Sequence, residues 1–107
     1  MTRKLLLVAA LSCFPWSAWA HGDAEWIMKD PKYLAQNGAH CCNIHDCGVA
    51  PAGAAVPVPG GWQVIETGQV FTWGERGLYP SNDGITLWWC RPGNRPVRCL
   101  FVPGQGS

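Results

Sequence analysis

The sequence predicts an α+β, mainly β fold: a small antiparallel sheet of about four strands, a short N-terminal helical segment, and disulfides that stabilise both. Three observations predict it. Runs of β-forming residues separated by turn signals fill the chain from Trp62 onwards. Five of the six cysteines come after residue 40. Only 14% of the 107 residues are charged, and Gly and Pro are abundant. This composition is typical of small, loop-rich domains cross-linked outside the cytoplasm.

The N-terminus has the plan of a secretory signal peptide. A basic start is followed by the apolar run Leu5–Leu11, which is too short to span a membrane, and by the small-x-small site Ala18–Ala20. Cleavage after residue 20 makes His21 the new N-terminus and leaves residues 21–107 as a single small disulfide-rich domain. The alternative is a lipoprotein cut before Cys13 and acylated there. We expect a periplasmic or secreted protein without a transmembrane segment.

The mature chain opens with helical signals. Asp23 is a candidate N-cap for a short helix that ends before Pro31, because the residue before a proline avoids the α region. Pro31 is suited to open a second helical turn, with Gly38 as its stop. Residues 48–61, rich in Gly, Pro and Ala, predict an irregular surface connection.

Two strand pairs follow. Strands at 62–66 and 70–73 flank the short hairpin signal Thr67–Gln69, and strands at 85–91 and 97–102 flank a Pro- and Gly-containing loop. An even-length loop in the second hairpin puts Cys90 and Cys99 on one face with Trp88. The opposite face then carries Trp89 and the two arginines Arg91 and Arg98, and we expect it to be the outer face.

The cysteines of the mature chain are five in number: Cys41, Cys42, Cys47, Cys90 and Cys99. In an exported chain they are expected to form two disulfides and leave one thiol. Adjacent cysteines rarely bond to each other, so the preferred scheme joins Cys90 and Cys99 to two of the other three. The identity of the remaining thiol is left open, and it offers a route to a disulfide-linked dimer.

Two other kinds of chemistry compete with simple cross-linking. The mature N-terminus His21, with its α-amine and imidazole, and either His40 or His45 supply the donors that copper or zinc prefers. Thiol redox through the unpaired cysteine, beside His45 and Asp46, is a further alternative, although the usual CxxC motif is absent.

The exposed face predicts a binding function. A tryptophan flanked by arginines, here Trp89 with Arg91 and Arg98, suits stacking and bidentate hydrogen bonding to an acidic or glycan partner. The competing interpretation is cation–π packing that only shields the indole. The formal net charge of +1 argues against a nucleic-acid ligand, which requires a clear basic excess. The sequence also lacks the common catalytic and phosphate-binding motifs, so neither an enzyme nor a cofactor is predicted.

Several of these residues form a recognisable pattern: Ala24–Ile27, Cys41-Cys42, Asp46-Cys47, Trp89–Arg91 and Arg98–Phe101. In it the chain resembles a group of uncharacterised small exported cysteine-rich proteins of alphaproteobacteria. The resemblance implies export and disulfides, and no catalytic residue. The group usually has Gly after the double cysteine, where this chain has Asn43.

Together these observations predict an exported, disulfide-stabilised binding module in the bacterial envelope. Its expected partner is a protein or an envelope polymer.

Overall fold

The computed structural model describes residues 24–42 and 46–104. The predicted signal peptide, Cys13, His21 and His45 lie outside the described residues. Helix α1 spans Glu25–Lys29, and its five residues are too few to be stable alone. It is held by packing, because Ile27 is fully buried. Asp30, the residue before Pro31, is already extended, as a proline requires.

The second predicted helical turn is wrong. Leu34 instead forms an antiparallel bridge with His40, and Gly38, at a φ of 91°, closes the turn between them. The Tyr79 hydroxyl explains the extended backbone here. It accepts a hydrogen bond from the Leu34 N–H at 2.9 Å and donates one to the Leu34 carbonyl at 2.7 Å. These bonds replace the intrahelical bonds that a helix would have supplied.

Seven strands lie within the described residues. They are β1 (Cys47–Val49), β2 (Ala55–Val58), β3 (Gly61–Val64), β4 (Val70–Thr72), β5 (Leu78–Pro80), β6 (Trp88–Cys90) and β7 (Cys99–Val102). One sheet has the order β1-β6-β7-β5, with β5 parallel to β7 and the other pairs antiparallel. The second sheet, β2-β3-β4, is antiparallel.

This architecture confirms the mainly β fold class with one short helix and disulfides, although the strands form two sheets. The β3–β4 and β6–β7 hairpins match the two predicted strand pairs. The irregular connection predicted for residues 48–61 is wrong, because it contains most of β1 and all of β2. Pro57 argues against a strand when the sequence is read alone. The structure tolerates it because β2 is an edge strand.

The β6–β7 hairpin divides the core in two. Trp88 pairs with Phe101 and Cys90 with Cys99, so these four side chains share one face, as predicted for Trp88 and the two cysteines. That face packs against α1 and the following segment and forms the first core. The expectation that the opposite face is the outside is wrong, because β2–β4 covers it. Leu100, Val64 and Phe71 meet there in a second core, with Trp89 packed against it.

Aromatic rings fill the first core. The Trp26 indole makes edge contacts with Tyr33, Trp88 and Phe101 at centroid separations of 5.7, 5.6 and 5.1 Å. Tyr79, from β5, stacks on Phe101 at 5.5 Å. Such pairs add to the apolar area that the rings bury. The helix therefore docks through one aromatic residue in contact with β6 and β7.

The turn that leads into β6 is organised by one carboxylate. Asp83 accepts hydrogen bonds from the backbone N–H groups of Ile85 and Thr86 and from the hydroxyls of Thr86 and Ser81, at 2.7–2.9 Å. The two backbone donors, followed by the hydroxyls, hold the pKa of Asp83 well below its usual range. The folded protein therefore favours the charged form of the Asp83 carboxyl group more than the unfolded chain does.

We expect Tyr79→Phe to destabilise the fold by about 1–3 kcal/mol, because both backbone groups of Leu34 lose their partner in a part-buried site. Urea denaturation followed by tryptophan fluorescence measures this. Tyr33→Phe removes a hydroxyl from the same aromatic group and should cost clearly less. Equal losses in the two variants would show that the Tyr79 hydroxyl bonds contribute little.

We expect acid to weaken the wild-type fold more than the Asp83→Asn variant. A carboxyl whose pKa is lower in the folded chain than in the unfolded one stabilises the fold above the unfolded value, about 3.9. That contribution is lost progressively as the pH falls from the unfolded pKa towards the lower folded pKa, a range that includes about pH 2.5. Thermal unfolding measured at about pH 6 and about pH 2.5 should show a larger fall in melting temperature for wild type than for Asp83→Asn. Equal falls in the two proteins would exclude this role of the Asp83 carboxylate.

Candidate functional site

The cysteines meet where the N-terminal segment contacts the hairpin. Cys41 is bonded to Cys99 and Cys47 to Cys90, which confirms the predicted scheme. Cys47 and Cys90 lie directly opposite each other on β1 and β6, and their Cα atoms are 3.9 Å apart. Within the described residues Cys42 is the free cysteine. The sequence left its identity open.

The free thiol lies against one of the bridges. The Sγ atoms of Cys42, Cys47 and Cys90 are all within 4.8 Å of one another, and we call these three residues the sulfur cluster. Cys42 and Cys47 are half-buried, whereas Cys90 is fully buried. A metal ion would find one thiol here, because the other two sulfurs are bonded to each other. Three thiolates are available only after the bridge is reduced.

The surroundings of Cys42 keep its sulfur protonated at neutral pH. Burial raises the pKa of the Cys42 thiol to about 11, and the nearby charge of the Asp46 carboxylate and its hydrogen bond to the thiol act in the same direction. The backbone N–H of Cys47 and the positive charge of Arg98 oppose this rise. Since the thiolate is the nucleophile, the resting cluster is poorly reactive.

His40 fixes the backbone at Cys42. Its Nε2 lies 2.8 Å from the Asp30 carbonyl oxygen and must carry the proton, because a carbonyl only accepts. In the neutral ring, Nδ1 is then the acceptor for the Cys42 N–H at 3.1 Å. The imidazole thereby links the end of α1 to the free cysteine. Both ring nitrogens already have partners, which argues against His40 as a metal ligand.

Arg98 extends towards the same region. Its Nη2 donates a hydrogen bond to the His40 carbonyl, and its buried Nε has no hydrogen-bond partner among the described residues. The side chain also lines a shallow depression with Gln36, Asn37 and Gln69. Arg98 therefore belongs to the neighbourhood of the sulfur cluster.

Trp89 lies at a second depression. A groove of about 250 Å³ is formed by the loop 51–54, Ile65, Glu66 and Trp89, and we call it the Trp89 groove. The indole is half-buried because its inner part packs against the second core. Ile65, the residue directly after β3, is 58% exposed. The lining is mainly apolar.

Arg91 contacts two residues that line the groove, Trp89 and Glu66. Its guanidinium lies over the Trp89 ring at 5.3 Å from the centroid and forms an ion pair with Glu66 at 2.8 Å. Further hydrogen bonds run to the carbonyls of Asn94 and Arg95, and the side chain is only 7% exposed. The Arg91 hydrogen bond and charge lower the pKa of Glu66. Arg91 thus packs on the indole and shields it, as in the competing interpretation of the sequence.

The predicted binding residues do not form one surface. Trp89 and Arg91 are in contact, whereas Arg98 lines another depression. Sequence reasoning missed Ile65 and Glu66, because a pairing between residues 25 positions apart has no local signal. The thiol-redox alternative from the sequence includes Asp46 as a neighbour of the unpaired cysteine. The structure adds its hydrogen bond to the Cys42 thiol.

Two disulfides are consistent with an extracytoplasmic location. Among residues 24–42 and 46–104, no helix has the length and apolar character needed to cross a membrane.

We expect alkylation of Cys42 by iodoacetamide to be slow at neutral pH and to accelerate about tenfold per pH unit until the pH approaches about 11. Asp46→Asn removes a negative charge and should lower the pKa of the thiol, which raises the rate at about pH 8. Mass spectrometry of the labelled peptide gives the rates. A flat profile above about pH 8 would contradict the proposed role of burial and Asp46.

Comparison with known proteins gives no family assignment. The chain matches no protein-family model, and neither the curated proteins nor the solved structures include a significant match. The resemblance to small exported cysteine-rich proteins of alphaproteobacteria stays a prediction.

Proposed function

We propose that this protein is an exported binding module of the bacterial envelope, and that its Trp89 groove receives an apolar side chain of a partner protein. The single observation that carries the proposal is the apolar, partly exposed lining of the groove. Both the half-buried Trp89 and the 58% exposed Ile65 line it as large apolar side chains. Aromatic anchors in pockets are characteristic of binding interfaces.

The rigidity around the groove supports a binding role. Trp89 is in β6, one residue before Cys90, which is bonded to Cys47. The Arg91 guanidinium packs on the face of the indole and is itself held by Glu66. A preformed site of this kind loses little conformational entropy when a partner binds. Binding, without catalysis, is therefore our proposal for the groove.

A protein partner is favoured over an envelope polymer by the polarity of the lining. Sugar recognition needs several hydrogen-bonding groups around the stacked ring, whereas loop 51–54 has only Pro and Ala side chains and a glycine. The positive charge of Arg91 is already paired with Glu66. An acidic polymer would have to break that pair to reach the guanidinium.

Copper or zinc handling has less support. His21 and His45 lie outside the described residues, and both ring nitrogens of His40 are hydrogen-bonded. Two of the three sulfurs in the sulfur cluster are joined in a disulfide.

The test uses two exposed isoleucines. A photo-crosslinking amino acid is placed at Ile65, on the groove, or at Ile85, which is 77% exposed outside it. In cells that naturally make the protein, we expect a defined protein adduct from position 65 only. The captured protein is then purified, and calorimetry compares its affinity for wild type, Ile65→Glu and Ile85→Glu.

We expect Ile65→Glu to weaken binding tenfold or more, because a carboxylate would be desolvated in the interface, and Ile85→Glu to change it less than about twofold. Equal effects at the two positions would place the contact surface elsewhere. Adducts with polysaccharide would favour an envelope polymer as the partner.

A further inference from the structure

Cys42 is not an isolated thiol. It lies within 4.8 Å of both sulfur atoms of the Cys47–Cys90 disulfide. Thiol–disulfide exchange begins with the approach of one sulfur to such a bond, and the product has as many disulfides as the reactant. The cluster therefore contains the nucleophile, the bond to be broken and the leaving group, and it needs no external oxidant or reductant.

The two possible leaving groups differ in their access to water. Attack on Cys47 would release the sulfur of Cys90, which is fully buried in the first core. Attack on Cys90 would release Cys47, which is half-buried on the edge strand β1. A departing thiolate carries negative charge, and burying that charge is costly. The second direction is favoured.

We propose that the sulfur cluster is an internal disulfide-exchange centre, in which Cys42 attacks Cys90 and Cys47 leaves. The Cys42 thiol first gives its proton to solvent base. Its sulfur then supplies the electron pair for a new Cys42–Cys90 bond, while the Cys47–Cys90 bond breaks and its electron pair stays on Cys47. Cys47 finally takes up a proton, so one thiol and one disulfide remain.

The groups around Cys42 are suited to control this step. Burial and, after it, Asp46 disfavour the Cys42 thiolate, whereas Arg98 favours it. The His40 ring holds the Cys42 backbone. The exchange should therefore be slow at neutral pH and faster in alkali, and any partner that displaces Asp46 would accelerate it.

The exchange changes which strand is cross-linked. In the resting protein the bridge ties β1 to β6 at directly opposed residues. After exchange the bridge starts at Cys42, and β1 keeps only its hydrogen bonds to β6. The new thiol at Cys47 then lies on a sheet edge beside Val49, which is 58% exposed. The centre thus moves a thiol to the edge of the four-stranded sheet. This inference does not depend on the Trp89 groove.

The test maps the free thiol in the oxidised mature protein. Samples are held at about pH 7 or about pH 10, quenched with acid, unfolded and labelled with a maleimide under acidic conditions, where exchange is slow. Peptide mapping without reduction then locates the label and the bridges. We expect the label on Cys42 after neutral incubation. After alkaline incubation a fraction should carry it on Cys47 with a Cys42–Cys90 bridge, while Cys41–Cys99 stays intact.

Two variants sharpen the test. Cys42→Ser keeps both native bridges and should give no label on Cys47 at either pH. Asp46→Asn should shift the exchange to lower pH, with a rate several-fold above wild type at about pH 8. A merely structural role of Asp46 would not produce this shift.

Four results would overturn the proposal. The label could remain on Cys42 throughout, or appear on Cys90 with a Cys42–Cys47 bridge. Loss of Cys41–Cys99 at the same rate would mean general scrambling. A disulfide-linked dimer, formed at a rate that depends on protein concentration, would assign Cys42 to assembly instead.

Discussion

Burial of the β6–β7 hairpin on both faces is the constraint on which the rest of the structure depends. All four residues of β7 are buried, so the strand serves two cores at once. On one face Cys90 and Cys99 receive the bridges from the N-terminal half, and on the other Leu100 packs against β2–β4. A small domain buries a smaller share of its surface on folding than a large one does, so cross-links contribute a larger part of its stability. Each bridge adds about 2–4 kcal/mol by restricting the unfolded chain.

The same constraint determines where the free thiol lies. Cys41 is bonded to Cys99 and Cys47 to Cys90. Cys90 and Cys99 lie directly opposite each other on the neighbouring strands β6 and β7. Cys42 follows Cys41 directly, so its sulfur is held close to the second bridge. His40 then removes much of the remaining freedom by bonding the Cys42 N–H and the Asp30 carbonyl. Two disulfides and one imidazole thus bring three sulfurs together.

The face on which Cys90 and Cys99 lie could be predicted from the sequence because β-strand alternation depends only on loop parity. The cover on the opposite face could not be predicted. β2 contains Ala55 and Pro57, which favour strands poorly, and it forms because it pairs with β3. β5 has three residues and joins β7 in parallel across a long separation in the chain. Both strands form through tertiary contacts, which have no local signal in the sequence. The sequence therefore predicts an open surface at Trp89, where the structure has the second core.

The two arginines show why residue type alone did not locate the binding surface. Strand alternation predicts both of them on one outer face with Trp89. Arg91 is committed to Glu66 and to two backbone carbonyls, which leaves its charge neutralised against the indole. Arg98 reaches the His40 carbonyl, and its charge acts on Cys42.

Both arginine charges therefore act within the protein itself. Arg91 holds the Trp89 ring, and Arg98 lowers the pKa of the Cys42 thiol. Since Arg91 is already paired with Glu66, affinity at the Trp89 groove has to come from shape and apolar contact. For the same reason, charge complementarity contributes little there.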